Sequence, residues 1–228
     1  MQAVILAGGL GTRLRPHTET IPKPMMIVNG RPFLDLLIER LSVHGIKEAI
    51  LCTGYLSESI ESDLGSSVHG VHVKYSVEES QKGTAHALLL AKNMISQEFL
   101  FLFGDTYLRV DYTSLFNEMH SHNAWGVLTA YSNVNHEFKN NLWVNNGMVE
   151  KYDKSHPEGN CTDAGVAVFK KKVLDEILPS DSSFEMSAYP KISQRNQLRA
   201  LITSERFYDI GTPDSLEYFR KHAHELVQ

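Results

Sequence analysis

Cysteine is scarce in this chain, with Cys52 and Cys161 the only two in 228 residues. They lie far apart and show none of the short spacings that metal sites use, so a zinc ribbon or disulfide scaffold is excluded and buried free thiols are expected. Long apolar runs are also missing. The first, Ala3 to Ala7, is too short to span a membrane and follows no cationic leader. Neither a signal peptide nor a membrane partner is expected, and the cytoplasm is the expected location. Positive charge is not in excess: 22 Lys and Arg against 27 Asp and Glu give a net charge of −5. That balance argues against nucleic acid as the main partner while permitting a local basic pocket. Repeats, low-complexity tracts and Pro/Gly/Ser-rich linkers are absent too. One domain, residues 1–228, is the simplest organisation.

What is present is an alternation of strand and helix patterns. Gln2–Leu6 reads as a buried strand, followed by a glycine loop and a helix near Pro32–His44 with proline in its first turn. Ala49–Thr53 reads as a strand, Leu56–Leu64 as a helix, Val71–Val77 as a strand and Thr84–Met94 as a helix. Phe99–Phe103 is continuously apolar, as in a strand covered on both faces, and helix Thr113–His120 and strand Gly126–Tyr131 follow. This order predicts an α/β fold with a doubly wound, mostly parallel, Rossmann-like sheet. Ligands of such sheets sit beyond the carboxyl ends of the strands. That rule gathers Gly8–Arg15, Glu79–Ala85 and Gly104–Asp105 on one edge. Residues 141–170 differ. Leu142–Val144, Met148–Tyr152 and Gly165–Phe169 read as short strands around the hairpin signal Asn145-Asn146-Gly147. They are expected to form a small β-rich lid inserted into, or flanking, the main sheet. Asp214–Leu226 closes the chain as an amphipathic helix after Pro213.

The glycine loop carries the strongest chemical signal. Leu6-Ala7-Gly8-Gly9-Leu10-Gly11-Thr12-Arg13 leaves a strand at glycines, whose backbone N–H groups can approach phosphate oxygens without a Cβ in the way. Arg13, Arg15 and Lys23 place three cations within one loop's reach. Leu14 stands where a dinucleotide fingerprint has its third glycine, and no Gly-Lys-Ser/Thr follows, so neither a dinucleotide site nor a Walker loop fits. Pro22 and Pro24 hold Lys23 on a stiff, extended segment, as a fixed point charge for a phosphate. Asp105 follows a buried strand and Gly104; Asp209 stands in Phe207-Tyr-Asp-Ile-Gly-Thr-Pro. Each alone reads equally as a capping aspartate, but two carboxylates sharing one Mg²⁺ would offset the charge of gathered phosphates. Glu79, Gln81, Gly83 and Thr84 join a strand to a helix, where Gln81 and backbone groups can read a base edge and Thr84 sits near the cap. Lys151, beside Glu150, and Asp163-Ala-Gly165 could clamp a sugar phosphate and its hydroxyls. His120/His122 and His222/His224 are two apart in helical segments, share no face, and are read as solvated surface.

Together and in order, these motifs resemble those of the sugar nucleotidyltransferase (NDP-sugar pyrophosphorylase) family. Leu6-Ala-Gly-Gly-Leu-Gly-Thr-Arg-Leu-Arg-Pro and Pro22-Lys-Pro are similar to its signature, and Gly83-Thr-Ala to its base-reading loop. Gly104-Asp105 and Asp209-Ile-Gly-Thr resemble its two metal positions, Glu150-Lys151 its Glu-Lys pair, and Asp163-Ala-Gly165 its sugar-binding segment. Ser80-Gln81-Lys82 and Tyr152 depart from the family pattern. The resemblance implies that a nucleoside triphosphate and a sugar 1-phosphate condense to an NDP-sugar and pyrophosphate, with Mg²⁺ on Asp105 and Asp209. It implies Arg13 on the β- and γ-phosphates, Lys23 at the α-phosphate and Lys151 on the sugar phosphate. The nucleotide part would cover about residues 1–110 and the sugar part about 111–228. The short chain is most like the group acting with GTP on manno-heptose 1-phosphate or with UTP on N-acetylmuramate 1-phosphate, as a monomer or homodimer; the heptose guanylyltransferase reading is preferred. A uridylyl-, cytidylyl- or thymidylyltransferase acting on another sugar 1-phosphate (mannose, glucose or N-acetylmuramate) is the nearest alternative, and two further readings are weaker. A silent nucleotide-sugar-binding regulator should have lost one of Arg13, Lys23, Asp105 or Asp209, and all are present. A non-sugar acceptor such as phosphocholine would leave Lys151 and Asp163 without a purpose.

Overall fold

The structure, a computed structural model, describes residues 1–227; Gln228 of the expected domain lies outside the described residues. The chain opens with β1 (Gln2–Leu6), a hairpin of β2 (Ile27–Val28) and β3 (Arg31–Pro32), and helix α1 (Phe33–Val43). β4 (Glu48–Thr53), α2 (Ser57–Leu64), β5 (Ser67–Val68), β6 (Val71–Val77) and α3 (Thr84–Ala91) follow. Next come β7 (Glu98–Phe103), β8 (Thr106–Tyr107), α4 (Tyr112–Ser121) and β9 (Gly126–Tyr131). The last part holds β10 (Leu142–Asn145), β11 (Met148–Tyr152), β12 (Thr162–Lys170), α5 (Phe184–Gln194), β13 (Leu198–Thr203), β14 (Tyr208–Asp209) and α6 (Pro213–Leu226).

Ten strands make one sheet in the order β10-β11-β13-β9-β12-β7-β1-β4-β6-β5. β7, β1, β4 and β6 run parallel, as do β9 and β13. Side chains alternate across each strand, so the central strands feed two cores. Ala3 and Ile5 of β1 and Leu100 and Leu102 of β7 face α1, α4 and α6 through Phe33, Leu115 and Phe219. Val4, Phe99 and Phe101 face α3 and α5 through Leu88, Phe184 and Tyr189. Helices thus cover both faces, as the strand–helix alternation predicts.

The expected β-rich segment takes both places open to it, inserted into the main sheet and flanking it. β12 lies inside the main sheet, antiparallel to β7 and β9, and β10 and β11 extend the same sheet at its edge. The reason is burial: seven of the nine residues of β12 are buried, a pattern that only a strand covered on both faces can satisfy. α5 escapes the sequence reading, because Pro190 interrupts its helical pattern from within.

Phe101 is 1% exposed and its ring lies 5.5 Å from Phe184, 6.0 Å from Phe169 and 5.2 Å from Phe103. Phe101→Ala is expected to destabilise the fold by about 3–5 kcal/mol in urea unfolding. A loss under about 1 kcal/mol would remove this cluster as the anchor of α5 on the sheet.

Candidate active site

β1 and β7 end side by side, Leu6 opposite Phe103, and both chains turn at glycine. Gly104 donates its N–H to the Leu6 carbonyl at 2.8 Å, and a Cβ there would come within 2.7 Å of that oxygen. Only glycine lets the two strand ends touch at this point, and the touch sets Asp105 against the glycine loop. A cavity of about 290 Å³ opens beyond the strand ends. The sequence-predicted residues of the loop (Leu6, Ala7, Gly8, Gly9, Gly11, Thr12 and Arg13) line it, with Gln81, Gly83 and Thr84 across from them. Lys23, Gly104 and Asp105 form its floor with Gly211. Arg15 is exposed and not among the lining residues.

Lys23 opens a short 3₁₀ turn, Lys23–Met25, rather than an extended segment; the Pro22 carbonyl accepts from the Met25 N–H at 2.8 Å. The turn buries the lysine to 9% exposure, and its ammonium pairs with Asp105 Oδ2. Asp105 Oδ1 accepts from the Thr106 hydroxyl at 3.2 Å. Asp209 reaches the same place from the far end of the chain. β14 pairs with β8, placing Asp209 opposite Thr106, and the Ile210 N–H donates to the Asp105 carbonyl at 3.0 Å. Asp209 Oδ1 accepts from the Gly211 N–H (2.7 Å) and the Ser215 hydroxyl (2.9 Å) at the start of α6. A Cβ on Gly211 would meet both Asp209 Oδ1, at 2.8 Å, and the Arg13 guanidinium, at 3.0 Å. Arg13, Lys23, Asp105 and Asp209 therefore converge.

Glu79 is exposed and off the cavity wall, and its neighbour Glu78 takes that place. Burial alternates from Ser76, in with Ser76 and Glu78 and out with Val77 and Glu79. Glu78 is 9% exposed, and its Oε1 accepts from the Lys82 N–H at 3.0 Å and meets His86 Nδ1 at 2.6 Å. Cys52 lies beside it; burial, with the Glu78 charge adding, pushes its thiol up to about 12, so it is inert. Thr84 does not cap its helix, and its hydroxyl donates to Glu185 at 2.7 Å.

A second cavity of about 110 Å³ adjoins the first, with Phe103 lining both. Asp163 and Gly165 line it, with Asn141, Tyr152, Lys154 and Phe207. Glu150 and Lys151 do not, which corrects their expected placement. The β10–β11 pairing shifts register between Trp143 and Val144, and both residues face outward between buried Val149 and Tyr152. Lys151 pairs with Asp153 at 3.0 Å and lies 4.5 Å from the Trp143 ring centre; Glu150 accepts from Asn145 at 2.9 Å. Lys154 is the cation that reaches the cavity. The sequence holds two acid–lysine pairs, Glu150-Lys151 and Asp153-Lys154, and only the bulge decides between them. Burial, with the Glu185 charge adding, pushes the Asp163 carboxyl up to about 6, against the Gly165 N–H and Lys154.

A glycine-bounded pocket lined by Arg13, Lys23 and Asp105, with Asp209 tied to Asp105 through the Ile210 N–H and a smaller pocket sharing its Phe103 wall, has the parts of a site that handles nucleotide phosphates. The sequence matches the nucleotidyl transferase family over residues 2–225, and the chain belongs to that family. It is 33% identical to a D-glycero-alpha-D-manno-heptose 1-phosphate guanylyltransferase of Aneurinibacillus thermoaerophilus, across 99% of this chain and 98% of that protein. A protein of the same name from Campylobacter jejuni is 30% identical across 96% and 98%. Among solved structures, HddC from Yersinia pseudotuberculosis superposes with a TM-score of 0.82 at 27% identity, covering 97% of this chain and 99% of that one. A complex of HddC with GMP-PN gives 0.81 at 26% identity, with the same coverage.

The raised Asp163 carboxyl has a pH consequence. Its protonated form is favoured in the fold, so the native state binds more protons than the unfolded chain between its ordinary value of 3.8 and about 6, and stability falls as pH rises through that window. Asp163→Asn removes that dependence. Its stability relative to the parent should rise by on the order of 2 kcal/mol between about pH 4 and pH 7 in urea unfolding. An unchanged difference would place the Asp163 carboxyl at its ordinary value.

Proposed function

We propose that this protein is a guanylyltransferase that joins GTP to D-glycero-alpha-D-manno-heptose 1-phosphate, giving the GDP-sugar and pyrophosphate. The observation that carries the reading is a pair of cavities that share Phe103 in their walls, one with a glycine loop, two cations and a buried carboxylate, the other smaller and lysine-bearing. The full-length likeness to two proteins bearing that name supports the sugar and the base. Glu78 supports guanine independently. Guanine presents two adjacent N–H donors on its pairing edge, which a carboxylate can accept together. Uracil and thymine present one donor between two carbonyls, which a carboxylate repels.

In the reaction an oxygen of the sugar 1-phosphate attacks the α-phosphorus in line. The bond from that phosphorus to the oxygen bridging to the β-phosphate breaks, and pyrophosphate leaves. The loop amides at Gly8, Gly9 and Gly11 hold the triphosphate, with Arg13 on its β- and γ-phosphates. Lys23 meets the α-phosphate, and Lys154 orients the sugar phosphate from the second cavity. Positioning and charge neutralisation supply the catalysis, with no covalent enzyme intermediate. Asp105 and Asp209 offer hard carboxylate oxygens from two segments tied through the Ile210–Asp105 backbone bond, a donor set that fits Mg²⁺. The ion, when bound there, would neutralise charge between the two phosphate groups. The reading takes a cytoplasmic monomer or homodimer without a nucleic-acid or membrane partner; among the described residues no helix is long and apolar enough to cross a membrane.

Lys23→Ala and Asp105→Ala are each expected to lower kcat by about 100-fold or more, with circular dichroism unchanged. Near-normal turnover in both, scored by pyrophosphate release, would overturn these roles. Glu78→Gln is expected to cut kcat/KM for GTP by about 100-fold while raising the relative use of UTP, in a grid of four triphosphates against the heptose 1-phosphate. Unaltered GTP preference would separate Glu78 from base choice.

A further inference from the structure

Glu185 belongs to neither cavity wall, yet it touches a residue of each. It stands in the first turn of α5 and is 3% exposed. Its Oε2 accepts from the Thr84 hydroxyl at 2.7 Å and from the Ser183 hydroxyl at 3.1 Å. Its Oε1 accepts from the Lys154 ammonium at 3.0 Å. Thr84 lines the nucleotide cavity, and Lys154 lines the smaller one. We propose that Glu185 is a positioning residue that couples the two substrate subsites, fixing Lys154 for the sugar phosphate through the same carboxylate that fixes Thr84 in the nucleotide loop. The inference rests on the reading of the two cavities given above.

The contact between the loop and α5 leaves little play. The Phe184 N–H donates to the Thr84 hydroxyl at 2.9 Å, and the Ala85 N–H donates to the Ser182 carbonyl at 3.2 Å. Gly83 has φ +104°, and a Cβ there would come within 2.1 Å of the Ser182 oxygen. The Thr84 hydroxyl therefore has both roles assigned: it accepts from Phe184 and donates to Glu185. A loop that shifts must break this chain. The lysine side differs, because the Lys154 side chain is 50% exposed against 4% for Glu185. The glutamate is the fixed partner and the lysine the free one. Burial alone would raise the Glu185 carboxyl, but Lys154, the local backbone N–H and the Thr84 hydroxyl together hold it below its ordinary value. A buried carboxylate that stays charged needs both of its partners in place.

Displacing Thr84 takes a donor from Glu185 and loosens Lys154; seating Thr84 does the reverse. A nucleotide that bears on residues 83–84 thus bears, through one carboxylate, on the lysine that the second substrate needs. Linkage makes the effect mutual, so each substrate tightens the other. Lys154 also stands before two carboxylates, Asp163 and Glu185. A lysine that left its Glu185 partner would expose an arriving phosphate to both.

The test is calorimetric binding of D-glycero-alpha-D-manno-heptose 1-phosphate, with and without a non-hydrolysable GTP analogue, alongside steady-state kinetics. In the parent protein the analogue is expected to tighten the sugar phosphate by about fivefold or more, and the sugar phosphate to tighten the analogue equally. Thr84→Val and Glu185→Gln should each bring that ratio to about one and raise KM for the sugar phosphate by about tenfold, more than they lower kcat. The double variant should bind sugar phosphate no worse than the weaker single variant. Thr84→Ser, which keeps the hydroxyl, should keep the coupling, so the proposal stays testable if Glu185→Gln fails to fold. No coupling in the parent, or a Thr84→Val that weakens only the nucleotide and adds to Glu185→Gln, overturns the proposal. Lys154→Ala separates this from the underlying reading. It should weaken sugar-phosphate binding where Lys151→Ala does not, and its failure to do so would overturn the assignment of the second cavity, and the coupling with it.

Discussion

The ion pair of Lys23 with Asp105 is the constraint from which the rest of the cleft is hung. It joins the loop that leaves β1 to the end of β7 in a place where Lys23 is almost wholly withdrawn from water. Withdrawing a charge is costly unless it is met, and each partner meets the other. The pair also fixes what can be built around it. The carbonyl of Asp105 receives the Ile210 N–H, which draws in Asp209, and Gly211 then packs against Arg13. Three distant stretches of chain are thereby locked to one cation and one carboxylate. An incoming phosphate meets charges that are already placed, which is how a site of this kind avoids reorganising during reaction.

The mixed direction of the sheet serves the site. β12 is antiparallel to β7, with Val166 opposite Leu102. Its amino end therefore lies where the carboxyl end of β7 lies. Asp163 and Gly165 reach the cleft because the strand runs backwards; a parallel strand would carry them to the opposite edge. The antiparallel insertion thus makes one sheet edge serve two substrates.

Much of this was legible from residues alone. Glycine loops, Lys23 between prolines, and aspartates just after apolar strands mark points where the chain must turn at the sheet's ligand-bearing edge. Central strands such as Phe99–Phe103 announce themselves because burial on both faces demands continuous apolar sequence. The failures have a common cause. Whether Lys151 or Lys154 enters the cleft depends on a register shift in the β10–β11 pair, and Glu78 rather than Glu79 on the phase of an alternation after Ser76. A one-residue slip in a strand reverses which face a side chain takes, and composition carries no trace of it. Glu185 was hidden for another reason. Its partners stand 101 and 31 residues away, and α5 itself is masked by Pro190.

The way Asp209 joins Asp105 has a consequence for how the molecule comes into being. During translation the glycine loop, Lys23 and Asp105 emerge well before Asp209, and the Rossmann-like strands can begin to assemble as they leave the ribosome. Asp209, and the Ser215 hydroxyl that braces it, arrive later. The pairing of β14 with β8, which brings Asp209 beside Asp105, can therefore form only after the strands that carry the glycine loop and Asp105 have emerged.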